Sequence, residues 1–231
     1  MAVRTVFLPA ESMQVGVREI NVNFTWYPGM AVSQAQKSIL SLHQNAAEKG
    51  ICNILEISSK SPDELGVALS AFNLKITTKK HGRIFSVESA FQGSKVFECG
   101  GPFIDLFEAT SREAKRDVRL KQSGNLTGFS FYGMSFPLVP RTFFYDWIYC
   151  NALVQNESLI ASLFDYDGFT DIVFNPEKSI NCQAYSAALF VSLCRSGLLN
   201  EAMSSPEIFL DLVGREYKER SFNSKAQASL I

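Results

Sequence analysis

Four side chains in the stretch SVESAFQGSKVF have types and a spacing that fit a ligand-binding face. Glu88, Phe91, Gln92 and Lys95 stand at positions i, i+3, i+4 and i+7. We expect a helix over residues 86–100, which would place all four on one side. On that side a carboxyl group, an aromatic ring, an amide and an amine can meet the same ligand.

This set of groups permits cleavage of a glycosidic bond. A carboxyl group can protonate a leaving nitrogen or activate water, and a lysine without its proton can attack an anomeric carbon to give a Schiff base. A nearby Glu88 raises the pKa of Lys95 whereas burial lowers it, so Lys95 is a nucleophile only where desolvation dominates. The alternative interpretation is an ordinary helix face with a solvated Glu88–Lys95 pair and Phe91 in the core.

Short strands and helices precede this face along the chain. The first 28 residues alternate in hydrophobicity and predict one or two strands. A helix is expected from Ser33 to Gly50, and the capping box Ser61-Pro62-Asp63-Glu64 predicts a second. Residues 75–87 alternate and break at His81-Gly82, which indicates a hairpin that leads into the face.

The chain after the face is expected to be mostly helical. A basic helix over residues 111–120 comes first, followed by a Gly/Ser-rich turn and the short strand GFSFYG. A long helix is expected from about Arg141 to Gln155, and the remainder is helical except around residues 170–179. The fold class expected is therefore α+β, a helix-rich single domain with small strands.

Composition narrows the classes of function. A chain of 231 residues with 46% hydrophobic residues can bury one core, and a net charge of −1 excludes non-specific binding of nucleic acid through a basic surplus. The five cysteines form no CxxC pair and the two histidines no ligand or triad pattern, so no disulfide framework, metal or cofactor is expected. Without a signal peptide or an apolar run of roughly 20 residues, we expect a cytoplasmic protein with no membrane contact.

The stretch SVESAFQGSKVF resembles the signature of the NADAR superfamily (NAD- and ADP-ribose-associated), roughly Ser-Glu-x-x-Phe-Gln-x-x-Lys-Phe after a short strand. Glu88, Phe91, Gln92, Lys95 and Phe97 match that signature. Upstream, LSAFN is similar to the family's Leu-Ser-Asn-Phe loop, with the asparagine after the phenylalanine. Downstream, the chain is similar to the family's Trp-containing helix, a leucine-containing turn that here lacks proline, and an acidic strand.

The resemblance covers about residues 68–195 and divides the chain. It implies an N-terminal extension over about 1–67, a NADAR core over 68–195, and a C-terminal helix and tail over 196–231. The extension and the block FTDIVFNPEKSINCQAYSAALF look like the branch that accompanies DNA-ADP-ribosylating toxins as antitoxin. That branch implies a glycohydrolase that removes ADP-ribose from guanine in DNA, with ADP-ribose as product and a cognate DNA-ADP-ribosyltransferase toxin as partner.

The resemblance makes Lys95 and Glu88 the expected catalytic residues. Many family members carry a Trp-Gly-Asp-Gly element before the last helix, where this chain has residues 175–179 as NPEKS. The second acid is therefore expected to be Asp171, with Glu177 as the second choice. Either Lys95 attacks while Glu88 protonates the leaving nitrogen, or Glu88 or Asp171 activates water beside a cationic Lys95.

Basic residues in SREAKRDVRL are candidates for phosphate contacts. Arg112, Lys115, Arg116 and Arg119 recur at helical spacing, which suits a pyrophosphate or DNA phosphates. A solvated face that is partly neutralised by neighbouring acidic residues is the alternative.

Aromatic and amide side chains complete the candidate set. A purine base needs a stacking partner, for which Trp26, Tyr145 and Trp147 are candidates, although aromatic residues also dominate cores. Amides near a predicted helix start can bind ribose hydroxyls or cap that helix. The binding residues expected are Phe91, Gln92, Ser70, Phe72, Arg112, Lys115, Arg116, Trp147, Asn175, Asn181 and Gln183.

Two other functions fit the same residues. A non-catalytic reader of ADP-ribose or a related nucleotide would keep the basic and aromatic groups without needing a paired acid and amine. Other NADAR members act on N-glycosidic bonds of riboflavin-pathway intermediates, so the resemblance also allows a small-molecule N-glycosidase.

Overall fold

Strands and helices alternate along the chain in short elements. The structure is a computed structural model and describes residues 1–11, 15–78, 80–174 and 181–219. Its strands are β1 (Ala2–Pro9), β2 (Val17–Phe24), β3 (Ile54–Glu56), β4 (Lys75–Thr77), β5 (Ile84–Ser86), β6 (Lys95–Phe97), β7 (Leu126–Phe131), β8 (Met134–Pro137) and β9 (Gly168–Thr170). Its α-helices are α1 (Val32–Ala47), α2 (Glu64–Ala68), α3 (Val87–Gly93), α4 (Ser111–Arg116), α5 (Arg119–Gln122), α6 (Phe143–Val154), α7 (Glu157–Ile160), α8 (Gln183–Arg195), α9 (Leu199–Ala202) and α10 (Pro206–Glu219). Two 3₁₀ helices cover Ile104–Phe107 and Ala161–Asp165.

A four-stranded sheet joins the two ends of the sequence. Its strand order is β2-β1-β9-β3, with β1 antiparallel to β2 and to β9, and β3 parallel to β9. The expected N-terminal strands are thus present, and they support β9, which lies more than 140 residues later along the chain. Because Asp171 directly follows β9, this sheet positions one of the candidate acids.

Two smaller sheets surround α3. The hairpin of β4 and β5 ends at Ser86, whose side chain caps α3 by accepting a hydrogen bond from the Ser89 N–H at 3.0 Å. After α3 the chain enters β6, which pairs with β7 in the sheet β6-β7-β8. Helix α3 is therefore held between two sheets at its two ends.

The core consists of α6 and α8, which pack against the sheets. Nearly every side chain of both helices is buried, as their predominantly apolar sequences FFYDWIYCNALV and QAYSAALFVSLCR favour. A buried polar junction joins them, because Ser186 in α8 and Tyr217 in α10 both donate hydrogen bonds to Asp146 in α6. The chain is a single α+β domain, as predicted from the sequence.

Three predicted element boundaries are wrong. The helix expected over residues 86–100 ends at Gly93, and Lys95 begins a strand because it pairs with Phe129 of β7. The basic helix expected over 111–120 breaks at Asp117, which leaves the helical conformation with ψ 129° and whose carboxylate accepts a hydrogen bond from the Arg119 N–H. Asp63, not Ser61, caps α2.

In the described ranges, no helix is both long and apolar enough to cross a membrane. Nor do the described His, Cys, Asp and Glu side chains gather in groups of three or more that could hold a metal ion.

Candidate active site

A cavity of about 400 Å³ opens between α3, α6 and the end of β9. This volume lies within the range of roughly 300–1,000 Å³ that is typical of ligand sites. Its walls come from Ser58, Ser59, Ser70, Ala71, Phe72, Glu88, Phe91, Gln92, Lys95, Lys115, Leu126, Leu138, Arg141, Tyr145, Asp171, Val173, Phe174, Asn181 and Gln183. The three expected catalytic residues thus share one cavity.

Glu88 lies in α3 with only 8% of its side chain exposed. Its Oε1 accepts a hydrogen bond from Gln92 Nε2 at 2.9 Å and lies 3.7 Å from Lys115 Nζ. Both partners are hydrogen donors, so Glu88 serves as an acceptor in the cavity wall. The i, i+4 spacing of Glu88 and Gln92 puts this bond within a single helix.

Lys95 begins β6 and carries its amine over the face of Phe91, 4.8 Å from the ring centroid. Burial lowers the pKa of Lys95 from 10.5 to about 8, and the charge of Lys115 lowers it further, whereas Glu88 raises it. Desolvation therefore dominates. Near pH 8 a sizeable part of Lys95 is a neutral amine, the form that can attack carbon.

Asp171 lies at the opposite wall, just after β9. Its Oδ1 accepts hydrogen bonds from the backbone N–H groups of Val173 at 3.1 Å and Phe174 at 3.0 Å. Burial raises the pKa of Asp171 from 3.8 to about 8 and the charge of Glu56 raises it further, against the hydrogen bonds from the backbone and Gln183. Asp171 consequently keeps its proton near neutral pH, as a general acid requires.

Two buried polar atoms face the cavity without a partner in the described part of the chain. They are Ser70 Oγ and Gln92 Oε1, on residues that are 1% and 6% exposed. Buried polar atoms are almost always paired, so these two are available to the hydroxyl groups of a ligand. The orientation of the Gln92 amide follows from its donation to Glu88.

Gln183 fixes two backbone segments beside the cavity. Its Oε1 accepts from the Ala71 N–H at 2.7 Å, and its Nε2 donates to the Ile57 carbonyl at 2.7 Å. Asn181 lines the cavity next to it. Gln183 therefore ties the loop that carries Ser70 to the end of β3.

Cationic side chains converge on the same cavity. Lys115 Nζ lies 5.1 Å from the centroid of the Phe72 ring, and Arg141 lines the cavity from the start of α6. Burial lowers the pKa of Arg141 below its usual value. With Lys95, these cations suit a ligand that carries a diphosphate.

Aromatic rings form the apolar part of the wall. Tyr145 lines the cavity and meets Phe91 edge-on with ring centroids 5.3 Å apart. Burial, reinforced by Glu88, raises the pKa of Tyr145 well above 10, so its hydroxyl stays protonated. Of the proposed stacking residues, Tyr145 is the one placed to contact a ligand here.

Several expected binding residues lie elsewhere. Trp147 packs in the core between Phe131 and Phe136, because α6 turns it away from the cavity. Arg112 and Arg116 are exposed on the outer face of α4, whereas Lys115 reaches the cavity.

Three other expected residues are not among those that line the cavity. Arg119 of α5 forms ion pairs with Asp105 of the first 3₁₀ helix and with Asp117. Asn175 and Glu177 lie outside the described residues.

Arg141 and Glu56 are the charged residues at this site that the sequence reasoning missed. Arg141 is an isolated charge in the apolar stretch PLVPRTFFYDW, a pattern that marks a basic residue at the start of a buried helix. Glu56 is the last residue of a three-residue strand, and its sequence neighbours give no indication of its partner across the sheet.

The arrangement as a whole suits the transfer of a glycosyl group. A partly neutral amine, a protonated carboxyl group and a second carboxyl group with hydrogen donors surround a cavity that also carries cations. These are the groups needed to attack an anomeric carbon, protonate a leaving nitrogen and accept a proton.

A family model described as NADAR-DarT1, DarT1-associated NADAR antitoxin, matches residues 2–223. No curated protein matches the chain. The matched region includes β1, β2 and α1 as well as the whole cavity.

Proposed function

The chain belongs to the DarT1-associated NADAR antitoxin family, and from this membership we propose that it hydrolyses the N-glycosidic bond between ADP-ribose and guanine in DNA. The observation that carries the proposal is the meeting of Lys95, Glu88 and Asp171 in one cavity, with the Lys95 pKa lowered to about 8. A protein that merely binds ADP-ribose has no need of a desolvated amine.

The first step is a displacement at the anomeric carbon. The neutral amine of Lys95 forms a bond to this carbon while the bond to the guanine nitrogen breaks. The electron pair of the broken bond goes to the guanine nitrogen, which takes a proton from Asp171. Glu88 takes the proton that the new ammonium group loses.

The second step releases the product. The sugar ring opens to give an imine between Lys95 and ADP-ribose, and one water molecule hydrolyses this imine. The Lys95 amine is regenerated, Glu88 gives up the proton that it accepted, and Asp171 regains a proton by way of solvent. The net reaction consumes one water and yields ADP-ribose and unmodified guanine.

The binding groups fit the parts of ADP-ribose. We assign Lys115 and Arg141, which line the cavity, to the diphosphate, and Ser70 Oγ and Gln92 Oε1, which have no partner among the described residues, to sugar hydroxyls. A base must leave the DNA stack or come from single-stranded DNA to reach an enclosed site. Because the net charge of the chain is −1, the contacts with DNA are local. This substrate places the protein in the cytoplasm, opposing a DNA-ADP-ribosyltransferase toxin.

An oligonucleotide with ADP-ribosylated guanine tests the proposal directly. The wild type should release free ADP-ribose, measured by chromatography, whereas Lys95→Ala should release none. Lys37→Ala is the matched control, because Lys37 is exposed on α1 and should leave the rate unchanged. Borohydride during turnover should attach ADP-ribose to Lys95 of the wild type, detected by peptide mass spectrometry.

Four results would count against this mechanism. Equal release by Lys95→Ala and the wild type removes Lys95 from the chemistry. Release without borohydride trapping favours direct attack by water, with Lys95 as a fixed cation. Tight binding of the modified oligonucleotide without release identifies a reader, and hydrolysis of a riboflavin-pathway N-glycoside alone identifies a different substrate.

A further inference from the structure

A second buried carboxyl group lies beside Asp171 but does not line the cavity. Glu56 ends β3, is 1% exposed, and pairs across the parallel strands with Thr170. Asp171 directly follows Thr170 in the chain. The mechanism above gives Glu56 no part, although an unused buried carboxyl group is costly for the fold.

Both sequence neighbours of Asp171 donate hydrogen bonds to Glu56. The Thr170 hydroxyl donates to Oε2 at 2.8 Å, and the Ile172 N–H donates to Oε1 at 2.9 Å. These two bonds hold the segment that carries Asp171 against the end of β3. The position of Asp171 is thus fixed on both sides through one carboxylate.

His43 of α1 extends this set of bonds. Its Nε2 lies 2.9 Å from Thr170 Oγ1. Because the Thr170 hydroxyl gives its hydrogen to Glu56, His43 donates through Nε2. Burial lowers the pKa of His43 to about 4, so the ring is neutral and contributes no positive charge near neutral pH.

The negative charge of Glu56 has no ion-pair partner within the described part of the chain. Arg4 of β1 lies near enough to lower the pKa of Glu56, but its guanidinium makes no ion pair with it. Burial acts more strongly and raises the pKa of Glu56, whereas Ser58 and the two bonds named above lower it. Two carboxyl groups this close do not both ionise readily.

We propose that Glu56 is a positioning residue of the active site, which holds the β9 end in place and makes Asp171 the proton donor of the pair. Hydrogen donors reach both carboxylate oxygens of Glu56, whereas the two backbone donors to Asp171 share its Oδ1. Glu56 therefore carries the charge, and the proton resides on Asp171, which faces the cavity. The catalytic role of Asp171 in this inference rests on the proposed function. The arrangement of Glu56 and Asp171 does not.

The other titratable groups around the pair are neutral, apart from Arg4, which faces Glu56. Tyr145 and Tyr149 of α6 face Asp171, and burial raises the pKa of each well above 10. Arg4 and His43 face Glu56 from β1 and α1. Glu56 is thus the charged group that Asp171 meets from the side away from the cavity.

Infrared spectroscopy of the substrate-free protein tests the inference without relying on activity. With ¹³C-labelled aspartate, the carbonyl band of a protonated Asp171 should appear near neutral pH and vanish in Asp171→Asn. Its titration midpoint should lie near 8, because burial and the charge of Glu56 raise the pKa of Asp171 to about 8. In Glu56→Gln, which removes the charge at nearly constant shape, the midpoint should fall by about one unit or more.

The rate of ADP-ribose release gives a second readout. In Glu56→Gln, the alkaline limb of the pH profile should shift to lower pH together with the infrared midpoint. In Glu56→Asp, which restores the carboxylate, the limb should return towards its wild-type position. Glu48→Gln, a change of an exposed carboxylate at the end of α1, should move neither readout.

The outcomes separate this inference from the proposed function. An unchanged infrared midpoint in Glu56→Gln overturns the role of Glu56. A wild type without a protonated aspartate band at pH 7 also overturns it, and this second test does not require that the variant folds. If the wild type shows the band, Glu56→Gln shifts its midpoint and the wild type releases no ADP-ribose, then the role of Glu56 is supported and the proposed substrate is wrong.

Discussion

At the residue scale, the chemistry depends on two buried groups whose pKa values move towards each other. Burial lowers the pKa of Lys95 from 10.5 to about 8 and raises that of Asp171 from 3.8 to about 8. In both cases the cavity disfavours the charged form. The same desolvation therefore prepares a nucleophile on one wall and an acid on the other.

The first prediction concerns the pH profile of kcat/KM for release of ADP-ribose. Activity should rise towards pH 8 as Lys95 loses its proton, and fall above pH 8 as Asp171 loses its own. With both values near 8, about a quarter of the protein has both groups in the required form at the maximum, so the profile should be a narrow bell. A plateau that extends to pH 10 would exclude Asp171 as the acid, and one that extends below pH 7 would exclude Lys95 as the nucleophile.

The second prediction separates ligand binding from stability at Ser70. Ser70→Ala should leave the free energy of unfolding nearly unchanged, because Oγ has no partner in the described part of the chain. KM should rise by about fivefold, the equivalent of one net hydrogen bond of about 1 kcal/mol. Urea unfolding and steady-state kinetics measure the two effects.

Ala71→Ser is the control for the Ser70 substitution. Ala71 also lines the cavity and is 2% exposed, so an added hydroxyl there perturbs the wall without removing a contact from Oγ of Ser70. A large loss of stability in Ser70→Ala would show instead that the hydroxyl supports the fold.

The residues of the α3 face could be predicted from the sequence, because local spacing places them together. Helical spacing placed Glu88, Phe91, Gln92 and Lys95 on one face, and the family signature matches the same four residues. Glu56 could not be predicted in this way, since its partners lie more than 110 residues away across a parallel strand pair. The position of Arg141 could not be predicted either, because Arg141 reaches the cavity only through the direction in which α6 enters the core.

At the element scale, the end of α3 decides where Lys95 points. The sequence predicted that the helix continues to residue 100, since GSKVFEC contains no proline. The Lys-Val-Phe segment instead pairs with β7, because a strand partner satisfies its backbone and its β-branched and aromatic side chains. Local propensity could not reveal this, since β7 begins about 30 residues later.

The third prediction tests how closely α3 packs against the first 3₁₀ helix. A Cβ at Gly93 would lie 2.6 Å from the ring of Phe107 and 3.0 Å from the Phe103 carbonyl oxygen. Phe107 stacks against Phe85, so the ring has little room to move. Gly93→Ala should lower the free energy of unfolding by roughly 1–3 kcal/mol and reduce the rate by shifting α3.

Gly214→Ala is the matched control for the α3 substitution. Gly214 lies in the interior of α10, and a Cβ there would meet nothing within 4 Å. This change should raise the free energy of unfolding by about 0.5–1 kcal/mol, because alanine favours the helix, and leave the rate unchanged. Equal effects of the two substitutions would refute the close packing of α3.

At the scale of the whole molecule, the N-terminal extension shares a sheet with the strand that precedes Asp171. The sequence predicted a single domain with an extension over about 1–67 and a family core over 68–195, and the family match over residues 2–223 includes most of both. In the structure, β1 and β3 from the extension flank β9. The hydrophobic pattern indicated β1 but not β3, and it could not specify that β1 pairs with a strand more than 140 residues later in the chain.

The last prediction is that a chain starting at residue 68 does not fold. It lacks both neighbours of β9 and also the Ile57 carbonyl to which Gln183 donates. It also lacks five large buried side chains of the hairpin, namely Val6, Phe7, Leu8, Val22 and Phe24. Their burial contributes roughly 1.5–3 kcal/mol each, which in sum equals much of the 5–15 kcal/mol that stabilises a typical domain. The shortened chain should therefore show no cooperative urea transition, no near-ultraviolet circular dichroism of packed aromatics, and no release of ADP-ribose. If it unfolds cooperatively and retains activity, then Asp171 is positioned without the extension, and the bonds from Thr170 and Ile172 to Glu56 are not needed for the site.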